Sequence, residues 1–229
     1  MTSEPSLNQR ERQRLKTRGQ ILDAALQVFG EKGFDAASVR EIAAKVGVNH
    51  ALIRHHFQNK DELWKEAVRF LFERMQAELS MEPEAEADLD DFERLKGRIR
   101  RYVAYCARHP EHSRIMVQQS IHGSERFTWM VKDFIAPQHR AGSRHLRKHI
   151  EGGLWPEVNE ISLTYILVAA AQMPFVLSQE IREIYGVEPT EAEWVDRHAD
   201  AIISLFFNHC VNQRAKRDAK HEPHPSRAE

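Results

Sequence analysis

Ser38-Val-Arg-Glu-Ile-Ala-Ala-Lys-Val-Gly-Val-Asn-His-Ala-Leu-Ile-Arg-His-His-Phe57 is the stretch of this chain that decides its fold. It predicts two short helices joined at Gly47. Ser38 stands three residues before Glu41, and such a pair can form a capping box at the start of a helix. The first helix then gains one apolar face from residues at helical spacing, namely Val39, Ile42, Ala43 and Val46. This pattern is typical of a helix-turn-helix, which presents its second helix to the major groove of DNA.

The faces of the second short helix follow from its apolar residues. Gly47 can take the left-handed conformation that ends a helix, and Asn49 is a favoured N-cap for the next one. A turn of about 100° per residue places Ile53 and Phe57 on one side, which we predict to be buried. Ala51 and His55 then lie on the outer side of the helix.

The outer face of this helix is suited to reading bases. His50 stands at the exposed helix start, and Leu52 and Arg54 lie on the flanks. Imidazole and guanidinium groups can donate hydrogen bonds to guanine O6 and N7, while Ala51 or Leu52 can pack on a thymine methyl group. The alternative is a small helical subdomain with an ordinary solvated face.

The charge of the chain is distributed unevenly. From Asn8 to Lys60, ten Lys and Arg residues oppose five Asp and Glu residues, a net charge of +5, whereas the whole chain carries −1. A first helix is predicted over Arg18 to Glu31, ended by Lys32-Gly33. The field that attracts phosphate therefore lies on the segment that contains the helix-turn-helix. A solvated surface is the alternative explanation for such a run of charge.

The residue order around this stretch resembles the N-terminal domain of tetracycline-repressor-type (TetR/AcrR) transcription regulators. The resemblance covers about a quarter of the chain and is carried by Thr17-Arg18, Ile21-Leu22-x-Ala24-Ala25, Phe29, Lys32-Gly33-Phe34, Ser38-Val39-x-x-Ile42-Ala43, Val46-Gly47-Val48, His56-Phe57 and Lys60-x-x-Leu63. One position departs from the family, because Arg54 stands where a tyrosine usually touches phosphate. An arginine can hold a phosphate or reach a base edge.

The resemblance and the face assignment together predict a set of DNA contacts. Thr17, Ser38 and Lys60 correspond to positions that grip the DNA backbone in the family. A helix cap alone is an equal alternative for Ser38, and His56 is expected to be structural. The predicted DNA-binding residues are Thr17, Ser38, Val39, Arg40, His50, Ala51, Leu52, Arg54, His55 and Lys60.

The predicted fold class is all-α, with an N-terminal three-helix helix-turn-helix domain and a C-terminal helical bundle for ligand binding and dimerisation. With 229 residues and 41% hydrophobic composition, the chain is long enough to bury a second core. The predicted divisions are a flexible arm over 1–13, the DNA-binding domain over 14–60, the effector and dimerisation domain over 61–211 and a disordered tail over 212–229.

Helical spacing continues through the second domain. The predicted helices there are 61–80, one ending near Arg108, Pro110 to Ile121, 125–151 with a kink at Pro137, Ile161 to Leu177, and 191–210. The resemblance implies that the last two pair with their symmetry mates as a four-helix dimer interface, so that two recognition helices meet a palindromic operator. An intramonomer core is the alternative.

An effector pocket in the bundle is a further implication of the resemblance, because a small molecule usually switches the family. Such a ligand would move the 61–80 helix and change the separation of the recognition helices. The effector is unknown, and core packing is the alternative for each candidate. The candidates mix aromatic bulk with polar tips: Tyr102, Tyr105, Met116, Gln119, His122, Trp129, Phe134, Tyr165, Met173 and Phe175. The alternative function is an architectural or partner-controlled DNA-binding dimer without an effector.

Enzyme and cofactor signatures are absent from the sequence. It has no Gly-rich phosphate loop, GxSxG elbow or HExxH motif. His145 and His149 can share a metal at their spacing of four, but no acidic or cysteine partner completes a motif. We therefore expect no catalytic residue, no metal and no cofactor. The remaining alternative, a metal-dependent hydrolase, requires an activity that a chelator removes.

The cysteines and the apolar segments predict a cytoplasmic protein. Cys106 and Cys210 lie far apart, which disfavours a disulfide scaffold and favours a reducing compartment. We interpret them as small buried hydrophobes, with a redox switch as the alternative. No apolar stretch follows the N-terminal charges, and Ile161 to Leu177 is too short and too polar for a membrane span.

Overall fold

The computed structural model describes residues 8–80, 88–152 and 157–221, and these ranges contain helices and no strand, as the predicted all-α class requires. In chain order the helices are α1 (Gln9–Ala36), α2 (Val39–Val46), α3 (His50–Phe57), α4 (Lys60–Leu79), α5 (Asp91–Arg108), α6 (Pro110–His122), α7 (Glu125–Met130), α8 (Ala136–Glu151), α9 (Glu160–Val176), α10 (Ser178–Tyr185) and α11 (Ala192–His221). A π-helical turn, Val131–Ile135, stands between α7 and α8.

The helices form two compact units whose boundary differs from the predicted one between residues 60 and 61. The first unit is Met1–Ser80 with His109–Phe134, and the second is Met81–Arg108 with Ile135–Glu229. Helices α4, α6 and α7 therefore belong with the helix-turn-helix. The reason is that α1 packs along both α4 and α6.

Helix α6 approaches α1 closely at Gly30. A Cβ atom added to Gly30 would lie 3.0 Å from the Cβ of Glu111 and 3.1 Å from its Cα. A larger residue would therefore force the two helices apart. Gln118 Nε2 also donates a hydrogen bond to the carbonyl oxygen of Gly30 at 3.0 Å.

A charged cluster joins α1, α4 and α6. Arg74 of α4 donates to Asp23 of α1 at 2.8 Å and to Glu111 of α6 at 2.6 Å. Nε2 of His109 lies 2.8 Å from a carboxylate oxygen of Glu78. Burial raises the pKa of Glu111, but hydrogen bonds with His109, the backbone and Arg74 outweigh it, so the net shift lowers this pKa. Glu111 is therefore held as a carboxylate inside the first unit.

Helix α1 begins earlier than Arg18, the residue predicted to start it. It starts at Gln9, so the predicted flexible arm is helical from residue 9 onward, and residues 1–7 lie outside the described residues. Asn8 and Glu11 form a capping box at this start. Toward the other end Gly33 interrupts the helix with φ of 75°, where Lys32-Gly33 predicted a stop.

The helix predicted over 125–151 changes geometry before Pro137 rather than at it. The turn Val131–Ile135 is π-helical, and α8 starts at Ala136. Pro137 has no N–H, and its ring would clash with the carbonyl of Asp133 in a regular α-helix. The wider π-helical turn gives the ring room.

The C-terminal end of the chain also differs from its prediction. Helix α10 was not predicted, and α11 continues to His221, so the tail expected over 212–229 is helical as far as residue 221. No proline or glycine stands between residues 192 and 221 to end the helix. Residues 222–229, and the side chains of His145 and Cys210, lie outside the described residues.

The second unit has its core between α5, α8, α9 and α11. Leu163, Ile203 and Phe207 are buried there, with Phe92 and Leu146 packed against them. None of the described helices is by itself long and apolar enough to cross a membrane. Helices α9 and α10 have the required length and apolar composition only when taken together, and the pair is bent by 66°.

A partly buried pair of polar side chains links α5 and α9 in the second unit. The hydroxyl of Tyr102 accepts a hydrogen bond from Gln172 Nε2 at 2.5 Å. Burial raises the pKa of the neighbouring Cys106 thiol to about 12. A thiol that stays protonated reacts poorly, which favours the interpretation of Cys106 as a small buried hydrophobe.

His112, a buried residue of α6, is expected to make the stability of the protein depend on pH. Burial lowers its pKa from 6.5 to about 3, the charge of Arg74 adding to the effect. As pH falls below 6.5, the unfolded chain binds a proton here that the folded chain does not bind. The free energy of unfolding should therefore fall by up to about 1.4 kcal/mol per pH unit between pH 6.5 and about pH 3.

Urea unfolding across this pH range measures the effect. The variant His112→Gln cannot bind the proton, so its stability should fall less steeply with decreasing pH. His122→Gln, at an exposed position of the same helix, should keep the wild-type slope. Equal slopes for wild type and His112→Gln would contradict the assignment.

Candidate nucleic-acid interface

The turn between α2 and α3 has the geometry that its sequence predicts. Gly47 takes φ of 72°, and its N–H donates to the carbonyls of Ala43 and Ala44. Glycine takes this left-handed conformation without steric cost. The side chain of Asn49 accepts the N–H of Ala51 at 2.8 Å and so caps α3. The two helices are thus joined as a helix-turn-helix.

Ser38 caps α2, but the predicted capping box with Glu41 does not form. The Ser38 hydroxyl accepts the N–H of Arg40 at 3.2 Å. The carboxylate of Glu41 instead lies 2.6 Å from Nζ of Lys32 in α1. This ion pair draws the carboxylate away from the cap and links α2 to α1.

The inner face of α3 is the predicted one; α3 packs against α2 and α4, and Arg18 of α1 lies over its last residue. Ile53 is 1% exposed and Phe57 is 3% exposed. The guanidinium carbon of Arg18 lies 5.3 Å from the centroid of the Phe57 ring, a cation–π arrangement. Arg18 also forms an ion pair with Glu66 of α4. One side chain of α1 therefore contacts both the recognition helix and the helix that follows it.

Two residues, the strained Gln58 and Asn59, connect α3 to α4. Gln58 has φ of 58° and ψ of −58°. The N–H of Asn59 donates to the carbonyl of Phe57 at 2.6 Å, which closes a γ-turn around Gln58. A residue other than glycine is strained in this conformation. The Asn59 side chain then accepts the N–H of Glu62 at 2.9 Å, so α4 begins at once.

The outer face of α3 carries the predicted base-reading residues. Ala51, Arg54 and His55 are exposed, and His50 and Leu52 are half-buried. A groove of about 200 Å³ runs beside this face, lined by Val39, His50, Ile53, Arg54, Gln58, Asn59 and Lys60. The structure thus brings four of the predicted DNA contacts, Val39, His50, Arg54 and Lys60, to one groove.

Two further predicted backbone contacts lie outside this groove lining, on α1 and α2. Thr17 is half-buried, and Arg40 is exposed in the first turn of α2. Lys60 donates to the carbonyl of Asp35 at 3.0 Å, and its Nζ lies 4.7 Å from the centroid of the Phe34 ring. The Lys60 ammonium group is therefore held in place by α1 in the free protein.

Phe34 and Arg126 form an anchor that sequence reasoning missed. The guanidinium carbon of Arg126 lies 3.6 Å from the centroid of the Phe34 ring, and Trp64 meets the same ring edge-on at 6.3 Å. Trp129 continues the cluster, 5.9 Å from Trp64. Phe34 was noticed as part of a motif, but its partner Arg126 stands far along the chain in α7, and no local pattern connects the two.

His56 has the structural position that was expected for it. Its ring lies 5.8 Å from the ring of Phe57. Burial lowers the pKa of His56, and the positive charges of His55, Arg14 and Arg18 lower it further. The neutral imidazole is therefore favoured at this position.

The ten predicted effector-binding residues are divided equally between the two units. The first unit contains Met116, Gln119, His122, Trp129 and Phe134, and the second contains Tyr102, Tyr105, Tyr165, Met173 and Phe175.

Two of these residues do not have the enclosed positions expected of a pocket lining. His122 is exposed at the end of α6, and Tyr165 is 61% exposed. The reason is helical phase, because Tyr165 lies on the side of α9 opposite the buried Leu163. By contrast, Trp129 and Phe134 pack on each other with ring centroids 5.2 Å apart, and Phe175 is buried against Trp194.

Two family models match the chain. Residues 21–67 match the family described as bacterial regulatory proteins, tetR family, and residues 72–213 match the YcdC-like protein, C-terminal region. The second match covers more than half of the chain.

Relatives with similar sequences are transcription regulators. The HTH-type transcriptional repressor Rv1474c of Mycobacterium tuberculosis is 43% identical over 65 residues, which cover 28% of this chain and 35% of the relative. The HTH-type transcriptional repressor Rv3405c of the same organism is 35% identical over 106 residues, which cover 45% of this chain and 54% of the relative. The chain thus matches about half or less of the length of these two proteins.

A solved structure with a similar fold is that of the ketosteroid transcriptional regulator KstR2 of Mycobacterium tuberculosis. It superimposes with a TM-score of 0.61 at 20% identity, covering 88% of this chain and 97% of that chain. This likeness concerns the fold, and all three proteins are named as regulators or repressors of transcription.

The turn at Gly47 gives a test of the interface geometry. Gly47→Ala should lower the free energy of unfolding by about 1–2 kcal/mol, because alanine is strained at this positive φ. Gly19→Ala is the matched control, since Gly19 lies within α1 and an added Cβ meets no atom within 4 Å. This control should raise stability by about 0.5–1 kcal/mol. Urea unfolding of both variants measures the difference, and equal effects of the two would contradict the geometry.

Proposed function

Because this chain belongs to the tetR family of bacterial regulatory proteins, we propose that it is a homodimeric repressor that binds a palindromic operator and is released by a small-molecule effector. The observation that carries the proposal is the outer face of α3. It exposes Arg54 and His55 on a helix whose other face is buried through Ile53 and Phe57. A rigidly seated helix with exposed donors is what major-groove recognition needs.

The side chains around α3 have distinct roles in this proposal. Arg54 reaches a phosphate or a guanine edge, and His55 reaches a base. Ala51 and Leu52 supply apolar contact with thymine methyl groups. His50, at the start of α3, is a further base-reading residue. The remaining contacts position the protein on the DNA backbone through hydroxyls, N-terminal helix amides and cations: Thr17, Ser38, Val39, Arg40 and Lys60.

The apolar surface of α9 and α11 supports the homodimer. Ile161, Tyr165 and Ile166 of α9 and Leu205 of α11 are all more than half exposed. Large apolar side chains in such numbers on neighbouring helices mark an association surface. A twofold axis through this surface would present two copies of α3 to half-sites about one turn of DNA apart.

We place the proposed effector site in the helical second unit. A partly buried polar pair, Tyr102 and Gln172, joins α5 and α9, and polar groups of this kind orient ligands in otherwise apolar sites. The precedent of a ketosteroid regulator with this fold supports a small molecule as the signal. Thermal-shift screening, followed by release from the operator, tests this switch. Binding at many unrelated sites without any effector would instead favour an architectural dimer.

Replacing the outward donors of α3 tests DNA recognition. Arg54→Ala and His55→Ala should each weaken binding to the operator by about 5- to 150-fold, the value of about 1–3 kcal/mol of a good base contact. Arg140→Ala, which removes an exposed cation from α8 in the second unit, is the control and should bind as wild type does.

Footprinting on the DNA beside its own gene finds the operator, and fluorescence anisotropy then measures the affinities. Unchanged affinity in both α3 variants would contradict the proposal that α3 lies in the major groove.

Charging the apolar surface tests the dimer. Leu205 is 81% exposed, so Leu205→Glu should fold normally yet place like charges at the proposed interface. We expect a monomer in sedimentation equilibrium and a loss of operator binding of more than tenfold. Ile121→Glu, at a residue of α6 that is 74% exposed, is the matched control and should stay dimeric. A dimeric Leu205→Glu variant would exclude this surface as the interface.

A further inference from the structure

The first two turns of α1 form a basic stripe that no family match covers, since the family models begin at residue 21. We propose that Arg10 and Arg14 are a second DNA contact, which holds the sugar-phosphate backbone flanking each half-site. This inference rests on the proposed function, because it requires that α3 is in the major groove. It adds a nonspecific contact to the base-reading face of α3.

The stripe is an ordered structure. The side chain of Asn8 accepts the N–H of Glu11 at 2.9 Å, and the carboxylate of Glu11 accepts the N–H of Asn8 at 3.1 Å. This reciprocal cap begins the helix at Gln9. Glu11 is the one acidic residue between Gln9 and Thr17, and the cap occupies its carboxylate. The cations that follow are therefore presented on a helix.

The helical phase places the stripe beside the recognition helix. Arg10, Arg14 and Arg18 follow at intervals of four residues, so they share one side of α1 at a spacing of about 6 Å along its axis. Arg18 lies over Phe57, the last residue of α3. The charge of Arg14 lowers the pKa of His56, the residue before Phe57. The stripe thus runs away from the C-terminal end of α3.

Two cations of the stripe, Arg10 and Arg14, form no ion pair with the other described residues. Both side chains are exposed. Like charges four residues apart destabilise a helix, and this segment has three such pairs: Arg10 with Arg14, Arg12 with Lys16, and Arg14 with Arg18. A polyanion beside α3 relieves that repulsion.

Among polyanions, the segment fits DNA better than a membrane surface. A helix that lies in a membrane interface needs a wide apolar face. Between residues 9 and 17 the apolar residue is Leu15 alone. Long arginine side chains on a polar helix suit phosphates, which can accept paired N–H donors.

The test compares how salt affects operator binding by wild type and Arg10→Gln/Arg14→Gln. Each lost phosphate contact should reduce the slope of log affinity against log salt by about 0.9, or about 1.8 per protomer and about 3.6 per dimer. The weakening should be the same on the operator and on unrelated duplex DNA. Shortening the flanks of the operator duplex should weaken wild type and leave the variant unchanged.

Three controls make the result interpretable. Arg140→Gln/Arg144→Gln removes two exposed cations at the same spacing on α8 and should keep the wild-type slope. Arg10→Lys/Arg14→Lys retains the charges and should keep most of the wild-type salt dependence. Circular dichroism should show equal helix content in all variants.

The outcomes separate this inference from the function on which it depends. If wild type binds no duplex selected from a random library, the proposed function is wrong. If wild type binds and Arg10→Gln/Arg14→Gln has the same slope and flank dependence, the second contact is wrong. Arginine-dependent binding to vesicles of anionic phospholipid, with operator binding unaffected, would also overturn it in favour of a membrane partner.

Discussion

The close approach of α6 to α1 at Gly30 is the constraint on which the first unit depends. With no side chain at Gly30, the backbone of Glu111 comes into contact with α1, and Gln118 donates a hydrogen bond to the Gly30 carbonyl. The approach also brings Glu111 to Arg74, which binds Asp23 of α1 at the same time. Three helices from distant parts of the sequence are therefore locked by one glycine and one arginine.

Helix α1 connects this packed cluster to the DNA-binding surface. Its Ile21, Leu22, Leu26 and Phe29 are buried, its Arg18 covers Phe57, and its Phe34 is covered by Lys60 and Arg126. Arg18 thus contacts the recognition helix, which packs against α2 and α4, and α1 is itself held by α4 and α6. The γ-turn at Gln58 and the cap at Asn59 make the connection from α3 to α4 short.

Local chemistry made much of the interface predictable. The cap at Asn49, the left-handed Gly47 and the inward direction of Ile53 and Phe57 depend on neighbours within one or two turns, and the structure agrees with each. The early start of α1 was also readable, since Asn8 and Glu11 have capping-box spacing, but the basic run after them suggested an unstructured arm. In the same way, Ser38 and Glu41 have the spacing of a box that a competing cation, Lys32, prevents.

Contacts between distant segments were not predictable. The sequence around Gly30 does not predict its contact with Glu111, and the sequence around Phe34 does not predict its contact with Arg126. Both contacts depend on how whole helices pack. The same limit applies to the effector residues, where aromatic composition selected both buried side chains such as Phe175 and exposed ones such as Tyr165. Burial of an aromatic residue depends on the phase of its helix against a neighbour that the local sequence does not identify.

The first unit is discontinuous in sequence, since it combines residues up to Ser80 with His109–Phe134. This matters for chimaeric regulators in which the DNA-binding domain is exchanged, because such designs treat the N-terminal segment as a separate module. A head cut after α3 or α4 would bring Gly30, Asp23 and Phe34 to a host whose helices lack their partners. A functional chimaera of this protein therefore needs two crossover segments, with α6 and α7 travelling together with the helix-turn-helix.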